Sequence, residues 1–365
     1  MIHTDVFIVG AGPAGLAAAI SARRRGLSVT VADRARPDID KVCGEGLMPD
    51  ALASLADLDV TLDAALGVPF RGIRFLGHGH SVAARFAERG GLGIRRTVLH
   101  RVLTTAAGQA GATLLWNSPV HEIDTHVVVA GGKQFHAHYI VGADGGASVV
   151  RSWARLDARR RDGLRYGFRR HYRVAPWTDH VEVYWGPSCQ IYVTPVAADM
   201  VCIASLARQP ELRLDGALAL IPTVAGRLAK AEIVGPERGA VSASRELHRV
   251  TRGNVALIGD ASGSVDAVTG QGMCLAFRQA CALGDAMARG RLDDYQRAHE
   301  QIRRMPARMA GLLLLLDQRP SLRSRVLAGL ESSPAVFSNL LATHNGARAS
   351  LAASLVQLSW KLLTA

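Results

Sequence analysis

A short apolar run followed by a glycine-rich turn near the N-terminus constrains this 365-residue chain most strongly. Residues 6–9 have the composition of a buried parallel strand, and a helix is predicted to follow the turn. In the G-x-G-x-x-G turn, Gly10 allows the tight bend, Gly12 lets the backbone approach a pyrophosphate, and Gly15 lets the helix pack closely. Asp33 ends the second strand, where its carboxylate can accept hydrogen bonds from a ribose. The pattern predicts a dinucleotide site but does not by itself separate FAD from NAD.

Two later segments also run from an apolar strand into a glycine-rich turn. In residues 140–151, IVGADGGASVVR, the turn holds Asp144 and fits either a cofactor-binding turn or a strand-to-helix junction with a capping aspartate. In residues 255–263, VALIGDASG, a buried strand carries Asp260 at its carboxyl end, where open α/β sheets bind ligands. The turn Gly270-Gln271-Gly272 then opens a long helix, whose N-terminus can stabilise negative charge on a bound ring system.

Composition limits the partners that this chain can have. It carries 43 Lys and Arg against 31 Asp and Glu, a formal net charge of +12, but only four of the basic residues are lysine. Arginines scattered over a solvated surface explain this charge better than a nucleic-acid groove does. Aromatic residues make up only 5% of the chain, which is few for a protein that stacks nucleic-acid bases. We therefore predict no nucleic-acid partner.

The cysteines and the N-terminus predict a reducing, cytoplasmic setting. The five cysteines form no CxxC pair and are odd in number, so neither a disulfide framework nor a metal site is predicted. The N-terminus enters a strand without a signal peptide. No apolar run reaches the roughly 18 residues that span a bilayer.

The three motifs, in this order and spacing, resemble the FAD-dependent oxidoreductases of the p-hydroxybenzoate hydroxylase type. This superfamily includes the group A flavoprotein monooxygenases, the geranylgeranyl reductases and the flavin-dependent halogenases, and the resemblance covers residues 1 to about 290. It implies an FAD cofactor and a set of residues that would hold it. These are Gly10, Gly12, Pro13, Ala14, Gly15, Asp33, Arg34, Arg96, Asp144, Gly259, Asp260, Gly270, Gly272 and Met273. Arg95 is the alternative to Arg96 for the arginine near the FAD phosphates.

The predicted fold class is α/β, with a Rossmann-like FAD-binding domain of the glutathione-reductase type. Its predicted segments are residues 1–70, 91–160 and 248–290, and its first helix is predicted over residues 16–25. Residues 164–207 alternate between apolar and polar side chains, which is typical of antiparallel strands. Residues 71–90 and 161–247 are therefore predicted to form an inserted β-sheet substrate domain, and residues 291–365 a helical C-terminal segment.

Two reactions fit this resemblance. The leading prediction is a monooxygenase that uses NAD(P)H and O2 and hydroxylates an aromatic or lipophilic, polyketide- or quinone-like molecule through a flavin C4a-hydroperoxide. NAD(P)H would act without its own domain, because no second G-x-G-x-x-G unit is present. The alternative is a reductase of C=C bonds in an isoprenoid or lipophilic substrate, favoured by Cys43-Gly44-Glu45-Gly46 and by the absence of His and Pro after Asp260. A halogenase is excluded because no Trp-x-Trp pair occurs.

Four side chains are candidates for catalysis. Cys43 can face the substrate as a weak proton donor or be a buried packing thiol, and Glu45 can join it or be a solvated loop carboxylate. His171 and Tyr192, from the inserted sheet, are candidates for proton transfer.

Apolar residues recur with helical periodicity in residues 311–316 and 351–363, near the end of the chain. These helices are predicted to pack onto the protein, or to form a lid or a weak peripheral membrane contact for a lipophilic substrate. The oligomeric state stays open.

Overall fold

The computed structural model describes residues 1–87, 89–156, 158–346, 351–354 and 356, with 158–162 described by their backbone. Within these residues the helices are α1 Pro13–Arg23, α2 Pro49–Ala56, α3 Arg96–Gln109, α4 Val149–Trp153, α5 Leu214–Ala219, α6 Pro222–Leu228, α7 Gly272–Ala288, α8 Leu292–Gln318, α9 Pro320–Glu331 and α10 Pro334–His344. The strands are β1 Ile2–Val9, β2 Val29–Ala32, β3 Gly46–Leu47, β4 Val68–Phe70, β5 Gly72–Gly77, β6 His80–Arg85, β7 Gly91–Gly93, β8 Thr113–Leu115, β9 Val120–Asp124, β10 Val127–Ala130, β11 Lys133–Gly142, β12 Ala158–Arg173, β13 His180–Trp185, β14 Cys189–Ala197, β15 Met200–Ala207, β16 Glu232–Leu247, β17 Thr251–Arg252 and β18 Val255–Leu257.

The first sheet has the order β17-β18-β11-β1-β2-β8, with β10 paired to β11 and β9 to β10. β1 runs parallel to both β2 and β11, and β11 runs parallel to β18. Val6, Phe7 and Ile8 in β1 are fully buried, as expected for a parallel strand covered on both faces. Helix α1 connects β1 to β2 and packs against α3 and α7.

The carboxyl ends of three neighbouring strands bring the three glycine-rich turns together. Val9 of β1 pairs with Gly142 of β11, and Gly142 pairs with Leu257 of β18. Because the strands are parallel, the turns that follow them lie at one edge of the sheet. Sequence order and strand pairing thus assemble a single site from residues about 250 positions apart.

The second sheet has the order β16-β12-β15-β14-β13-β5-β6. Its strands are antiparallel except for β13 and β5, which run parallel. A third, small sheet has the order β3-β7-β4. Helices α9 and α10 pack against β6. Phe337 of α10 contacts Phe75 of β5, and Phe75 contacts Trp185 of β13.

The predicted α/β class, with a dinucleotide-type parallel sheet, a largely antiparallel second sheet and a helical C-terminal region, is confirmed. Both bounds of the first helix differ from the prediction, since α1 runs from Pro13 to Arg23 rather than over residues 16–25. Proline is favoured at the first helical position because its fixed φ suits the helix and its missing N–H costs no hydrogen bond there. The predicted helix over 351–363 lies mostly outside the described residues. Among the described residues, no helix combines the length and apolarity needed to cross a membrane.

Candidate cofactor and substrate site

A cavity of about 1090 Å³ opens where the three glycine-rich turns face the second sheet and the C-terminal helices. Nine of the fourteen residues that the resemblance assigns to the cofactor line it, namely Gly12, Pro13, Ala14, Arg96, Gly259, Asp260, Gly270, Gly272 and Met273. The other five, Gly10, Gly15, Asp33, Arg34 and Asp144, are not part of its lining.

The glycines of the first motif have different structural roles. Gly10 has φ +104°, and a Cβ there would meet the carbonyl oxygen of Ala143 in the second motif. A Cβ on Gly15 would overlap the carbonyl oxygen of Gly10. A Cβ on Gly12 would meet nothing within 4 Å and would project from the cavity lining. Gly10 and Gly15 therefore permit the local packing, whereas Gly12 keeps a space clear.

Asp33 and Asp144 both use their carboxylates to hold backbone in place. Asp33 accepts hydrogen bonds from the backbone N–H groups of Ala11 at 2.7 Å and Ala35 at 2.8 Å. Asp144 accepts from the Ser148 hydroxyl at 2.5 Å and from the Val149 N–H at 2.7 Å. The second motif thus has the capping geometry that the sequence allowed for it, and the cofactor roles of Asp33 and Asp144 stay predictions.

Positive charge surrounds Asp260 in the cavity. Asp260 lines the cavity, and desolvation by the surrounding protein raises its pKa against the opposing charges of Lys41, Arg96 and Arg245. The Arg245 guanidinium donates to the carbonyl oxygen of Gly146. These three cations can face a bound anionic ligand beside Asp260.

Of the two candidate arginines, Arg96 lines the cavity and Arg95 does not. Arg96 is the first residue of α3 and is only 5% exposed, and burial lowers its pKa. Its Nη1 has no hydrogen-bond partner among the described residues. The unpaired buried guanidinium N–H of Arg96 and the clear space at Gly12 fit the pyrophosphate of a dinucleotide.

Glu45 is the most heavily contacted of the candidate catalytic side chains. It is fully buried, which corrects the alternative of a solvated loop carboxylate. Its Oε1 accepts from Arg169 Nη1 at 2.5 Å and from the Arg96 N–H at 2.9 Å, and its Oε2 lies 2.7 Å from His171 Nε2. Burial raises the pKa of Glu45, but the hydrogen bond and charge of His171 and the charge of Arg169 outweigh it and hold the pKa below its ordinary value.

Cys43 lines the cavity two residues before Glu45. Its Sγ accepts a hydrogen bond from the Glu45 N–H at 3.3 Å, and burial raises its pKa. Glu45 has φ +59°, an uncommon conformation for a side chain larger than glycine, and its flanking residues are Gly44 and Gly46. The ion pairs of Glu45 hold this bend, so they also set the position of the thiol.

The two candidates from the second sheet differ in position. Tyr192 lines the cavity, donates to the carbonyl oxygen of Val268 at 3.3 Å and has a pKa raised by burial. His171 is buried behind Glu45 and does not line the cavity. Any role of His171 therefore acts through Glu45.

Sequence reasoning missed Arg169 and Asp40. The two side chains form a buried pair in which Arg169 Nη2 lies 2.9 Å from both Asp40 oxygens. Arg169 belongs to a basic pair that composition assigns to the solvated surface. The available signal was its position two residues before His171, on the same face of a strand.

The donor atoms of Glu45, His171 and Cys202 lie within 4.8 Å of one another, a spacing that a metal ion could bridge. Arg169 already pairs with Glu45, and its positive charge opposes a cation at that position. The absence of a metal cofactor stays a prediction.

The fold and the site together define an FAD-dependent oxidoreductase. The FAD binding domain family matches residues 3–202, and the chain belongs to this family.

Three similar proteins carry the names of reductases or of a monooxygenase. A menaquinone reductase of Mycolicibacterium smegmatis is 28% identical over 335 residues, covering 81% of this chain and 79% of that protein. A rifampicin monooxygenase of Rhodococcus hoagii is 34% identical over 158 residues, covering 40% of this chain and 33% of that protein. The crystal structure of a geranylgeranyl bacteriochlorophyll reductase-like protein from Thermoplasma acidophilum superposes with a TM-score of 0.75 at 20% identity, covering 99% of this chain and 97% of that chain.

Proposed function

We propose that this protein is a flavin-dependent reductase that saturates a C=C bond in a lipophilic, isoprenoid-like molecule. The observation that carries the proposal is the position of Cys43, which lines the same cavity as the glycine-rich turns and a long apolar wall. NAD(P)H is proposed as the electron donor. The substrate is proposed to be a small lipophilic molecule.

The apolar wall supports a hydrocarbon ligand. It comes mainly from the three C-terminal helices, and its side chains are Leu312, Leu313, Leu316, Leu322, Val326, Leu330, Phe337, Leu340 and Leu341. Branched aliphatic side chains offer no hydrogen bonds and bind hydrocarbon by excluding water from both surfaces. A chain of isoprene units matches this lining better than a polar aromatic acid does.

Cys43 is proposed to protonate one carbon of the double bond. FAD, once reduced by NAD(P)H, would supply a hydride equivalent to the other carbon and return to its oxidised form, and solvent would reprotonate the thiolate. The raised pKa of Cys43 keeps the thiol protonated at neutral pH, so it carries a proton to give. The Glu45 N–H that donates to Sγ would stabilise the thiolate that forms, and so would the positive charge of Arg96.

The relatives support reduction over most of the chain. The menaquinone reductase aligns with 81% of this chain, which includes the second sheet, whereas the rifampicin monooxygenase aligns with 40%. Hydroxylation remains the second candidate, because the shorter match has the higher identity, 34%.

The two reactions can be separated with the purified FAD-loaded protein, reduced by dithionite without O2. Geranylgeraniol and a menaquinone, each dispersed in detergent, serve as substrates, and products are identified by mass spectrometry. A product that gains two hydrogens without O2 supports the reductase. A product that gains one oxygen atom, formed only with NAD(P)H and O2, would overturn it in favour of hydroxylation.

A further inference from the structure

We propose that the exposed face of α8 beside the cavity mouth docks on the surface of an anionic phospholipid bilayer. We define this docking face as Arg304, Arg308 and Leu315 of α8, Arg319 directly after that helix, and Val241 of β16, which also lines the cavity. The inference rests on the proposed function, because a lipophilic substrate is dissolved in a bilayer and must pass from it into the cavity.

Helical geometry places the docking face next to the apolar wall. Arg304, Arg308 and Leu315 recur at intervals of four and seven residues, so they share one face of α8, and all three are exposed. Leu312 and Leu316 lie on the adjoining face and line the cavity. The same turns of α8 therefore hold the ligand on one side and face outward on the other.

Two exposed apolar side chains mark the cavity mouth. Val241 is 62% exposed and Leu315 is 45% exposed, and both also line the cavity. Apolar side chains at this position can insert among acyl chains at the bilayer surface.

The charge of the docking face is not neutralised within the protein. Arg304, Arg308 and Arg319 form no ion pair with any acidic side chain in the described part of the chain, whereas Arg165 and Arg208 both pair with Asp317 at the end of the same helix. Unpaired guanidinium groups beside exposed aliphatic side chains are complementary to phosphate headgroups over acyl chains. This complementarity favours an anionic bilayer over a second copy of the chain, whose net charge of +12 would repel it.

Vesicle co-sedimentation tests the proposal without turnover. The FAD-loaded protein is mixed with vesicles of phosphatidylcholine alone, or of phosphatidylcholine with 30 mol% phosphatidylglycerol (a composition of about one anionic lipid in three, chosen to give a negative surface potential). Preferential binding to the anionic vesicles is expected, and it should weaken as salt is added. Arg304→Gln/Arg308→Gln should bind these vesicles roughly tenfold more weakly. Leu315→Ser should also weaken binding.

The matched controls carry equal changes elsewhere. Arg249→Gln/Arg289→Gln removes the same charge near the far end of α7, where Arg289 lies about 20 to 25 Å along the helix from the residues of α7 that line the cavity. Leu220→Ser removes an exposed leucine near α5. Control variants that bind as weakly as the docking-face variants would overturn the proposal, as would equal binding of the protein to both vesicle types. The protein could saturate geranylgeraniol in detergent and yet fail to bind anionic vesicles. That result would disprove docking and leave the proposed function intact.

Discussion

The His171 imidazole lies 2.7 Å from the Glu45 carboxylate and joins a loop beside the parallel sheet to strand β12 of the second sheet. Glu45 also accepts hydrogen bonds from the guanidinium of Arg169 in β12 and from the N–H of Arg96 at the start of α3. One carboxylate thus connects both walls of the cavity.

Glu45→Gln should lower the free energy of unfolding by about 3 kcal/mol, because it leaves the buried Arg169 without its full counter-charge. Urea denaturation followed by circular dichroism measures the change. Glu122→Gln, at an exposed glutamate, is the control and should change stability little. Equal stability of the Glu45 and Glu122 variants would show that the buried network contributes nothing.

The contribution of Glu45 should depend on pH. Its pKa in the folded protein lies below the ordinary value of 4.5, so its ionised form stabilises the fold above about pH 4.5. This stability is lost as the pH falls through the folded-state pKa. The difference in unfolding free energy between the natural protein and Glu45→Gln should therefore shrink on acidification below pH 4.5. A difference that stays constant with pH would contradict this assignment.

Two glycine substitutions should fail in different ways. Gly15→Ala should lower the melting temperature, because the new Cβ overlaps the Gly10 carbonyl oxygen. Gly12→Ala should fold normally but bind FAD at least roughly tenfold more weakly, because its Cβ enters the space left for the pyrophosphate. Thermal melting of the apoprotein and titration with FAD separate the two effects. Normal FAD affinity in Gly12→Ala would place the pyrophosphate elsewhere.

Asp260→Ala should reduce FAD affinity by roughly tenfold or more, since a charged hydrogen-bond acceptor is removed from the cavity. Flavin content after gel filtration and calorimetric titration measure the loss. Asp124→Ala, at an exposed aspartate of β9, should retain FAD. Full retention of FAD by Asp260→Ala would remove Asp260 from the cofactor site.

Cys43→Ala should slow turnover of the proposed substrate by roughly a hundredfold while FAD stays bound, because the proton donor is lost. Cys281→Ala is the matched control; that thiol donates to the carbonyl oxygen of Ser54 and does not line the cavity. Stopped-flow reoxidation of the reduced protein by substrate, without O2, gives the rate. Unchanged kinetics in Cys43→Ala would make Cys43 a packing thiol.

The sequence by itself determined that the three glycine-rich turns meet at one edge of the parallel sheet. The apolar strands, the three glycine-rich turns and their order predict where the turns meet, because parallel strands in a doubly wound sheet end at a common edge. Residues such as Gly12, Asp260 and Gly270 could therefore be identified one by one, and each lines the cavity. Local patterns carry this information because strand and helix periodicities depend on neighbouring residues.

Only the tertiary structure decided how the remaining side chains are used. Glu45 meets Arg169 and His171 across more than 120 positions, and no spacing in the sequence predicts that contact. Which of Arg95 and Arg96 lines the cavity depends on where the first turn of α3 points, and the apolar wall depends on how α8 to α10 fold back over the second sheet. These contacts arise when two sheets and a helical layer pack together, and the burial that results decides which charged groups pair and which remain exposed.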